Sequence, residues 1–376
     1  MTWKLMDDVI SVEQKTALSE FIMSSGRFSQ GSLVKQFEEE WSKWQGCKYS
    51  VFVNSGSSAN FIATHAAMLK HGYHGTWSSQ ACTWATTVSP AMLSNNSLQL
   101  LDVTIPNLGV DIDSLSSVLD SVRPKYLFLA NLLGLPAVND DLLEICEKNG
   151  IILLEDCCES HGATYKGEKV GNFGIMSTFS FYYGHHMTTI EGGMVCTDDE
   201  ELYHNLLLLR SHGLLRELPE DARSNYDMVD PSFTFVTPGF NVRSTEVNAL
   251  LGLMQLKDLN RHNLIRSYNF ERFVRGLDGS KYYNDFITEG NSSFCFPVIC
   301  KNGNRDAIRK KLSDMDIETR PIIAGNLYEH PFMKSVNQFR FDTNAKIVHE
   351  NGFYVGNNHT ITSDQVDMLV GELNKA

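Results

Sequence analysis

Residues 178–193, TFSFYYGHHMTTIEGG, carry the side chains best placed for chemistry in this chain. A strand-like run contains Ser180, and a tight Gly184 and the pair His185-His186 follow it before a Glu-Gly-Gly exit. Imidazole has an ordinary pKa of about 6.5, so it moves protons at neutral pH, but it cannot form a stable imine with an aldehyde. The histidine pair is therefore a candidate for proton transfer. A surface or core histidine is the alternative.

Two further segments place polar residues at strand ends. Residues 53–60, VNSGSSAN, predict a strand that ends in Ser-Gly-Ser at the start of a helix, where N–H groups and the helix dipole favour a phosphate. Residues 151–163, IILLEDCCESHGA, place Asp156 at the end of a buried strand, where a carboxylate needs a partner. An ordinary capping residue is the alternative in both segments.

Short apolar runs alternate with helical patterns over most of the chain. Strands are predicted at 50–53, 98–103, 126–133 and 151–155, and helices at 12–24, 32–45, 59–70 and 139–148. Strands that alternate with helices indicate an α/β fold with a mostly parallel sheet covered by helices. We therefore predict a large domain at residues 1–260, including the N-terminal helices, and a smaller C-terminal α+β domain at residues 261–376.

Composition argues against several classes of protein. The formal net charge is -13 and no run of lysines and arginines occurs, so no nucleic acid partner is expected. No apolar run approaches the ~18 residues of a membrane span, and the start, MTWKLMDDVISVEQK, lacks the features of a secretory signal. A cytoplasmic protein without a membrane partner is therefore predicted. The 8 cysteines include no C-x-x-C pair, so reduced thiols and no metal site are expected.

Together these segments resemble those of the DegT/DnrJ/EryC1/StrS family of sugar aminotransferases, and the resemblance covers nearly the whole chain. The family has the fold type I of pyridoxal-phosphate enzymes, and its cofactor is linked to a lysine five residues after the serine that corresponds to Ser180. Here that position is His185, and no lysine lies between Lys169 and Lys257. The resemblance implies pyridoxamine or pyridoxal 5′-phosphate that is not covalently bound, with His185 as the catalytic residue.

The family's motifs imply roles for further residues of this chain. The implied cofactor contacts are the phosphate turn at Gly56 and Ser57, the ring-stacking Trp84, Asp156 at the pyridine nitrogen, Glu159 near the phenolic oxygen, Ser180 at the phosphate, and Asn241. In relatives the asparagine that corresponds to Asn241 reaches a cofactor phosphate in the neighbouring subunit. The resemblance therefore implies a homodimer with active sites at the subunit interface. The implied substrate contacts are His212, Arg216, Arg243 and Arg320.

The replacement of lysine by histidine favours dehydration over amino transfer. The resemblance implies C3 dehydration of a nucleotide-linked 4-keto-6-deoxy sugar, GDP-4-keto-6-deoxymannose or a related GDP-sugar or heptose, for cell-surface polysaccharide. L-Glutamate is implied as the amino donor that restores pyridoxamine phosphate.

Two features of the sequence bear on other cofactors. Some related 3-dehydratases carry an iron–sulfur cluster on four cysteines, but no cysteine lies between Cys196 and Cys295, so no cluster is expected. A nicotinamide enzyme is disfavoured because no G-x-G-x-x-G follows the first strand. A nucleotide-sugar 4-aminotransferase and a non-catalytic cofactor-binding relative stay open as alternatives.

Overall fold

Helices and strands alternate along the chain, as the apolar runs predict. The computed structural model describes residues 2–6, 8–224, 226, 230, 232–334, 336 and 338–376. The helices are α1 (Val12–Ser24), α2 (Ser32–Gln45), α3 (Gly56–His71), α4 (Ala85–Leu93), α5 (Ile112–Val118), α6 (Asp140–Asn149), α7 (Glu200–Arg210), α8 (Glu220–Arg223), α9 (Glu246–Gly276), α10 (Arg305–Asp314), α11 (Thr343–Asn351) and α12 (Ser363–Asn374). The strands are β1 (Tyr49–Val53), β2 (Thr76–Gln80), β3 (Ser97–Leu101), β4 (Pro124–Ala130), β5 (Ile152–Asp156), β6 (Thr164–Tyr165), β7 (Glu168–Lys169), β8 (Met176–Ser180), β9 (Gly193–Thr197), β10 (Cys295–Ile299), β11 (Thr319–Arg320) and β12 (Gly352–Gly356).

A seven-stranded sheet in the order β1-β9-β8-β5-β4-β2-β3 forms the centre of the larger part of the molecule. The pairs β2/β3, β2/β4, β4/β5 and β5/β8 are parallel, whereas β9 is antiparallel to both β1 and β8. Strand β1 therefore runs in the same direction as β8, and the carboxyl ends of β1, β4, β5 and β8 meet at one edge. Near-complete burial of these strands is typical of a sheet covered on both faces, and the predicted α/β class is confirmed.

A second sheet, with the order β10-β12-β11 and antiparallel pairs, forms in the last third of the chain. The 31-residue helix α9 connects the two sheets. Its Gly252 packs on Phe37 of α2, and its Gly276 packs on Val370 of α12. The predicted boundary between residues 260 and 261 falls inside this continuous helix, and the division into two domains stays a prediction.

Disulfide bonds, membrane-spanning helices and metal sites are three features that would bear on function. All eight cysteines are free thiols. Over residues 2–376, with the gaps given above, no helix is long and apolar enough to cross a membrane. Within the same part of the chain, no three His, Cys, Asp or Glu side chains are grouped so that they could hold a metal ion.

The N-terminus of α2 is capped by a carboxylate from a distant part of the chain. Gly31 stands at the cap position and offers no side-chain acceptor. The buried Glu246 carboxylate instead accepts the backbone N–H groups of Gly31, Leu33 and Val34 at 2.8, 3.0 and 2.9 Å. Because Glu246 is also the first residue of α9, one carboxylate joins the beginnings of two helices and satisfies donors that a helix start leaves without partners.

Glu246→Ala is expected to lower the free energy of unfolding by about 2–4 kcal/mol, because three N–H groups lose a charged acceptor. Urea denaturation followed by circular dichroism measures the change. The matched control is Glu20→Ala on the exposed face of α1, expected within about 0.5 kcal/mol of wild type. A Glu246→Ala effect as small as that of the control would contradict the capping role.

Candidate active site

A cleft of about 410 Å³ lies at the carboxyl edge of the large sheet, facing the small sheet. Eight residues predicted from the sequence line it: Gly56, Ser57, Trp84, Asp156, Glu159, Ser180, His185 and Arg320. Phe294, Tyr354 and Gly356 from the small sheet and its flanking segment form the opposite side. Ligands of open α/β sheets bind at this edge, beyond the carboxyl ends of parallel strands.

The Asp156 carboxylate anchors the inner end of the cleft. It ends β5, is 6% exposed, and its Oδ2 accepts hydrogen bonds from Asn60 Nδ2 and Thr87 Oγ1, both at 2.8 Å. Its Oδ1 accepts the Cys158 N–H at 3.1 Å. The Thr178 hydroxyl donates to Asn60 Oδ1 at 2.6 Å and so orients the amide. These donors compensate the carboxylate for its burial and fix its direction.

The turn after β1 forms a narrow cradle against the end of β8. Ser55 caps α3 by accepting the Ser58 N–H at 3.0 Å, so Gly56 and Ser57 are the first residues of the helix. A Cβ on Gly56 would lie 2.5 Å from the Ser180 Cβ and 2.9 Å from its Oγ. Only glycine therefore fits at position 56. The helix N-terminus and the Ser180 hydroxyl converge in a geometry that suits a phosphate.

His185 lies on the turn that follows β8. Its backbone N–H donates to the Tyr182 carbonyl at 3.0 Å, and its ring lies 5.5 Å from that of Phe294 between centroids. Its Nδ1 is buried and has no hydrogen-bond partner among the described residues. Burial, and then the charge of the Arg266 guanidinium, lowers the pKa of His185 to about 4. The imidazole is therefore neutral at pH 7 and can accept a proton.

The neighbouring histidine has a different environment. His186 is 3% exposed, and its Nε2 lies 3.2 Å from the carbonyl oxygen and 3.2 Å from the hydroxyl of Ser292. It is not among the residues that line the cleft. Burial lowers the pKa of His186 well below its usual value, so it is a neutral interior residue. Of the two histidines, only His185 therefore faces the cleft.

Glu159 and Arg320 face the cleft from the two sides. Burial raises the pKa of Glu159 to about 7, with Asp156 acting in the same direction, while the Leu133 N–H and the Arg320 charge oppose the rise. The Leu133 N–H donates to Glu159 Oε2 at 3.1 Å. Near neutral pH the Glu159 carboxyl therefore takes both protonation states, and it can donate as well as accept a hydrogen bond.

The rim of the cleft carries an aromatic ring. Trp84 is 51% exposed although it precedes α4 and belongs to a buried turn. An exposed flat ring in a cleft is suited to stacking on a flat ligand. Its role as a stacking residue stays a prediction.

Four residues predicted from the sequence do not line the cleft of this chain. Asn241 bridges to Ser211 and accepts a hydrogen bond from Arg243 Nε at 3.1 Å. Arg243 pairs with Val53, the last residue of β1. The other two lie on the segment after α7: His212, with a φ of 63°, and Arg216, which donates to the Ser232 carbonyl at 3.1 Å. Within one chain these side chains cannot complete the cleft, and their ligand roles stay predictions.

Two donors of the site were missed in the sequence. Asn60 lies four residues after Gly56, and Thr87 lies three residues after Trp84, so each shares a helix face with a residue that was recognised. This helical spacing is the sequence feature from which the two donors could be predicted. Leu5 and Met6 also line the cleft, and nothing in their sequence context indicates it.

The side chains in the cleft fit pyridoxal or pyridoxamine phosphate. The cradle at Gly56 suits the phosphate, and the oriented Asp156 carboxylate suits a protonated pyridine nitrogen. The His185 imidazole lines the cleft, so it can exchange a proton with a bound ligand. No lysine is found among the described residues that line the cleft, so a covalent link of the usual kind has no partner there.

Comparison with known proteins agrees with this geometry. Residues 9–374 match the model of the DegT/DnrJ/EryC1/StrS aminotransferase family. The GDP-4-keto-6-deoxy-D-mannose 3-dehydratases of Escherichia coli O55:H7 and Yersinia pseudotuberculosis are both 37% identical to this chain, over 93% and 94% of each sequence. A crystal structure of GDP-4-keto-6-deoxymannose-3-dehydratase with a trapped PLP-glutamate geminal diamine has a TM-score of 0.93 and 34% identity, covering 99% of this chain and 100% of that one.

The raised pKa of Glu159 predicts a pH-dependent difference in stability. Between the ordinary value of 4.5 and the folded value of about 7, the folded protein holds a proton that the unfolded chain has lost. The contribution of Glu159 to stability therefore falls as the pH rises through this window. Glu159→Gln removes the titration, so the variant should gain stability relative to wild type across the window and level off above it.

Urea denaturation at pH values from about 5 to about 8 checks this difference. Glu20→Gln on exposed α1 is the matched control and should give a flat difference. A flat curve for Glu159→Gln would show that the carboxyl is not buried as described.

Proposed function

The chain belongs to the DegT/DnrJ/EryC1/StrS aminotransferase family, and we propose that it is a 3-dehydratase of a nucleotide-linked 4-keto-6-deoxy sugar. GDP-4-keto-6-deoxymannose or a related GDP-sugar is the substrate, because the relatives at 37% identity are dehydratases of that compound. The observation that carries the proposal is His185. It follows β8 and Ser180 where the family has its cofactor-linking lysine, and no lysine is found among the described lining residues.

Non-covalent contacts alone would hold the cofactor in the cleft. Gly56, Ser57 and Ser180 would bind its phosphate, Asp156 would pair with its ring nitrogen, and Trp84 would cover a ring face. When bound, the cofactor supplies an amine for the C4 ketone of the sugar and a ring that accepts electrons. Asn60 and Thr87 donate hydrogen bonds to the Asp156 carboxylate and would keep its direction fixed when the ligand enters.

His185 performs the proton transfers. Because burial keeps the imidazole neutral, it can take the proton from the carbon next to the cofactor's amine. The imidazolium formed in this way can then protonate the C3 hydroxyl of the sugar as it leaves. A lysine at position 185 would compete for the cofactor and return the proton, which leads to an amino sugar instead.

Glu159 and Arg320 are suited to substrate binding on the small-sheet side. Arg320 supplies a cation for an anionic group, either the diphosphate of the sugar nucleotide or a carboxylate of L-glutamate, the proposed amino donor. Glu159 can donate or accept a hydrogen bond near the phenolic oxygen, or hold the water that releases the product, since its pKa is about 7.

A homodimer would complete the site. Three exposed aromatic residues of the segment that carries Asn241, namely Phe233, Phe235 and Phe240, are 66%, 62% and 38% exposed. Exposed apolar groups of this kind support a protein interface. The partner subunit would supply Asn241 to the cofactor phosphate, and His212, Arg216 and Arg243 to the sugar nucleotide. A cytoplasmic location stays a prediction.

The product of the reaction tests the proposed function. The protein is incubated with pyridoxal phosphate, L-glutamate and GDP-4-keto-6-deoxymannose, and the sugar nucleotide is analysed by mass spectrometry. A 3-deoxy-4-keto sugar with released ammonia is expected. A 4-amino sugar would make the protein an aminotransferase, and unchanged substrate with bound cofactor would favour a non-catalytic relative.

Mixing of two inactive variants tests the shared site. His185→Asn removes the acid–base group, and Asn241→Asp places a negative charge where the partner's cofactor phosphate would bind. In a statistical mixture of subunits half the dimers are hybrids with one intact site of two, so about a quarter of wild-type activity should return. No recovery in hybrids isolated with two affinity tags would place Asn241 in the site of its own chain.

A further inference from the structure

Residues 2–6 form a strap along the edge of the small sheet. Trp3 bridges to Ile317 in parallel: its N–H donates to the Asp316 carbonyl at 2.8 Å, and the Glu318 N–H donates to its carbonyl at 2.9 Å. The Leu5 N–H donates to the Glu318 carboxylate at 3.0 Å. The strap is therefore bound to the residues that lead into β11 and Arg320.

Trp3 anchors the strap against the small sheet. Its side chain is 3% exposed, packs edge-to-face on Phe296 with 6.3 Å between ring centroids, and donates from Nε1 to the Gly356 carbonyl at 2.9 Å. The next residue, Lys4, is exposed. Trp3 is therefore the buried anchor of the strap, and the exposed Lys4 is a suitable position for a control substitution.

Beyond the anchor, the strap enters the cleft. Leu5 and Met6 both line it. A Cβ on Gly184 would lie 2.4 Å from Met6 Sδ, and a Cβ on Gly356 would lie 2.4 Å from the Leu5 carbonyl oxygen. Glycine at both positions makes room for the strap. Since Gly184 directly precedes His185, the Met6 thioether lies against the turn that carries the catalytic imidazole.

We propose that the strap is a specificity wall of the sugar site, with Leu5 and Met6 contacting the C6 methyl group of a 6-deoxy sugar. The inference rests on the proposed function for the identity of the sugar. In the proposed reaction His185 acts at the C3 hydroxyl and the cofactor's amine joins at C4, and C6 is attached at C5, next to C4. The C6 methyl is the apolar substituent of such a sugar, and the strap offers an apolar, adaptable side chain beside His185.

Equilibrium binding of two unreactive sugar nucleotides tests the wall. The protein loaded with pyridoxal phosphate is titrated by calorimetry with GDP-6-deoxymannose and GDP-mannose, which differ by one C6 hydroxyl. Wild type should prefer the 6-deoxy sugar by about tenfold, the range that one apolar contact against a hydroxyl supplies. Met6→Ala should reduce the preference to about threefold or less, because the thioether contact is lost.

Lys4→Ala is the matched control and should keep the full preference. Trp3→Ala removes the anchor and should behave like Met6→Ala if it remains folded. The result for Met6→Ala decides whether the proposal stands. Binding of both sugars without preference in wild type, or an unchanged preference in Met6→Ala, would overturn the wall and leave the proposed function standing. Binding of neither sugar nucleotide would overturn both the wall and the proposed function.

Discussion

The buried Asp156 carboxylate is the interaction on which the rest of the cleft depends. Its donors come from α3, α4 and the turn after β5, and Thr178 of β8 acts through Asn60. Its neighbour Glu155 points to the other face of the same strand and accepts the N–H groups of the turn at residues 171–174 that leads into β8. Because side chains alternate between the faces of a strand, the two adjacent carboxylates have different roles. Asp156 lies in the cleft, whereas Glu155 stabilises the turn before the strand that carries Ser180.

The parts of the site that sequence predicts are those with local signatures. Asp156 follows an apolar run, Gly56 stands between a strand and a helix, and His185 has a fixed distance from Ser180; the structure brings all three to one cleft. These features depend on strand ends and helix starts, which hydrophobic patterns locate to within a few residues. The mostly parallel sheet follows from the same patterns, although they do not predict β2, TWSSQ, because four of its five residues are polar.

Features that depend on contacts between distant residues were not predictable. Glu246 caps a helix more than two hundred residues earlier in the chain, and the 2–6 strap reaches the cleft by pairing with residues 316–318. The burial that lowers the pKa of His185 and raises that of Glu159 likewise requires the assembled fold. Asn241 and Arg216 show the converse: the sequence motifs point to them, but a single chain leaves them outside the cleft, and their roles stay predictions.

The central claim is that position 185 is the cofactor-linking position of the family, occupied here by a residue that moves protons and cannot bind the cofactor covalently. Borohydride reduction of the pyridoxal-phosphate complex, followed by denaturation and mass spectrometry, tests it directly. Wild type should return to the mass of the polypeptide, whereas His185→Lys should retain one phosphopyridoxyl group, located at residue 185 by peptide mapping. Retention of the group by wild type, or attachment in the variant only at other lysines, would contradict the account.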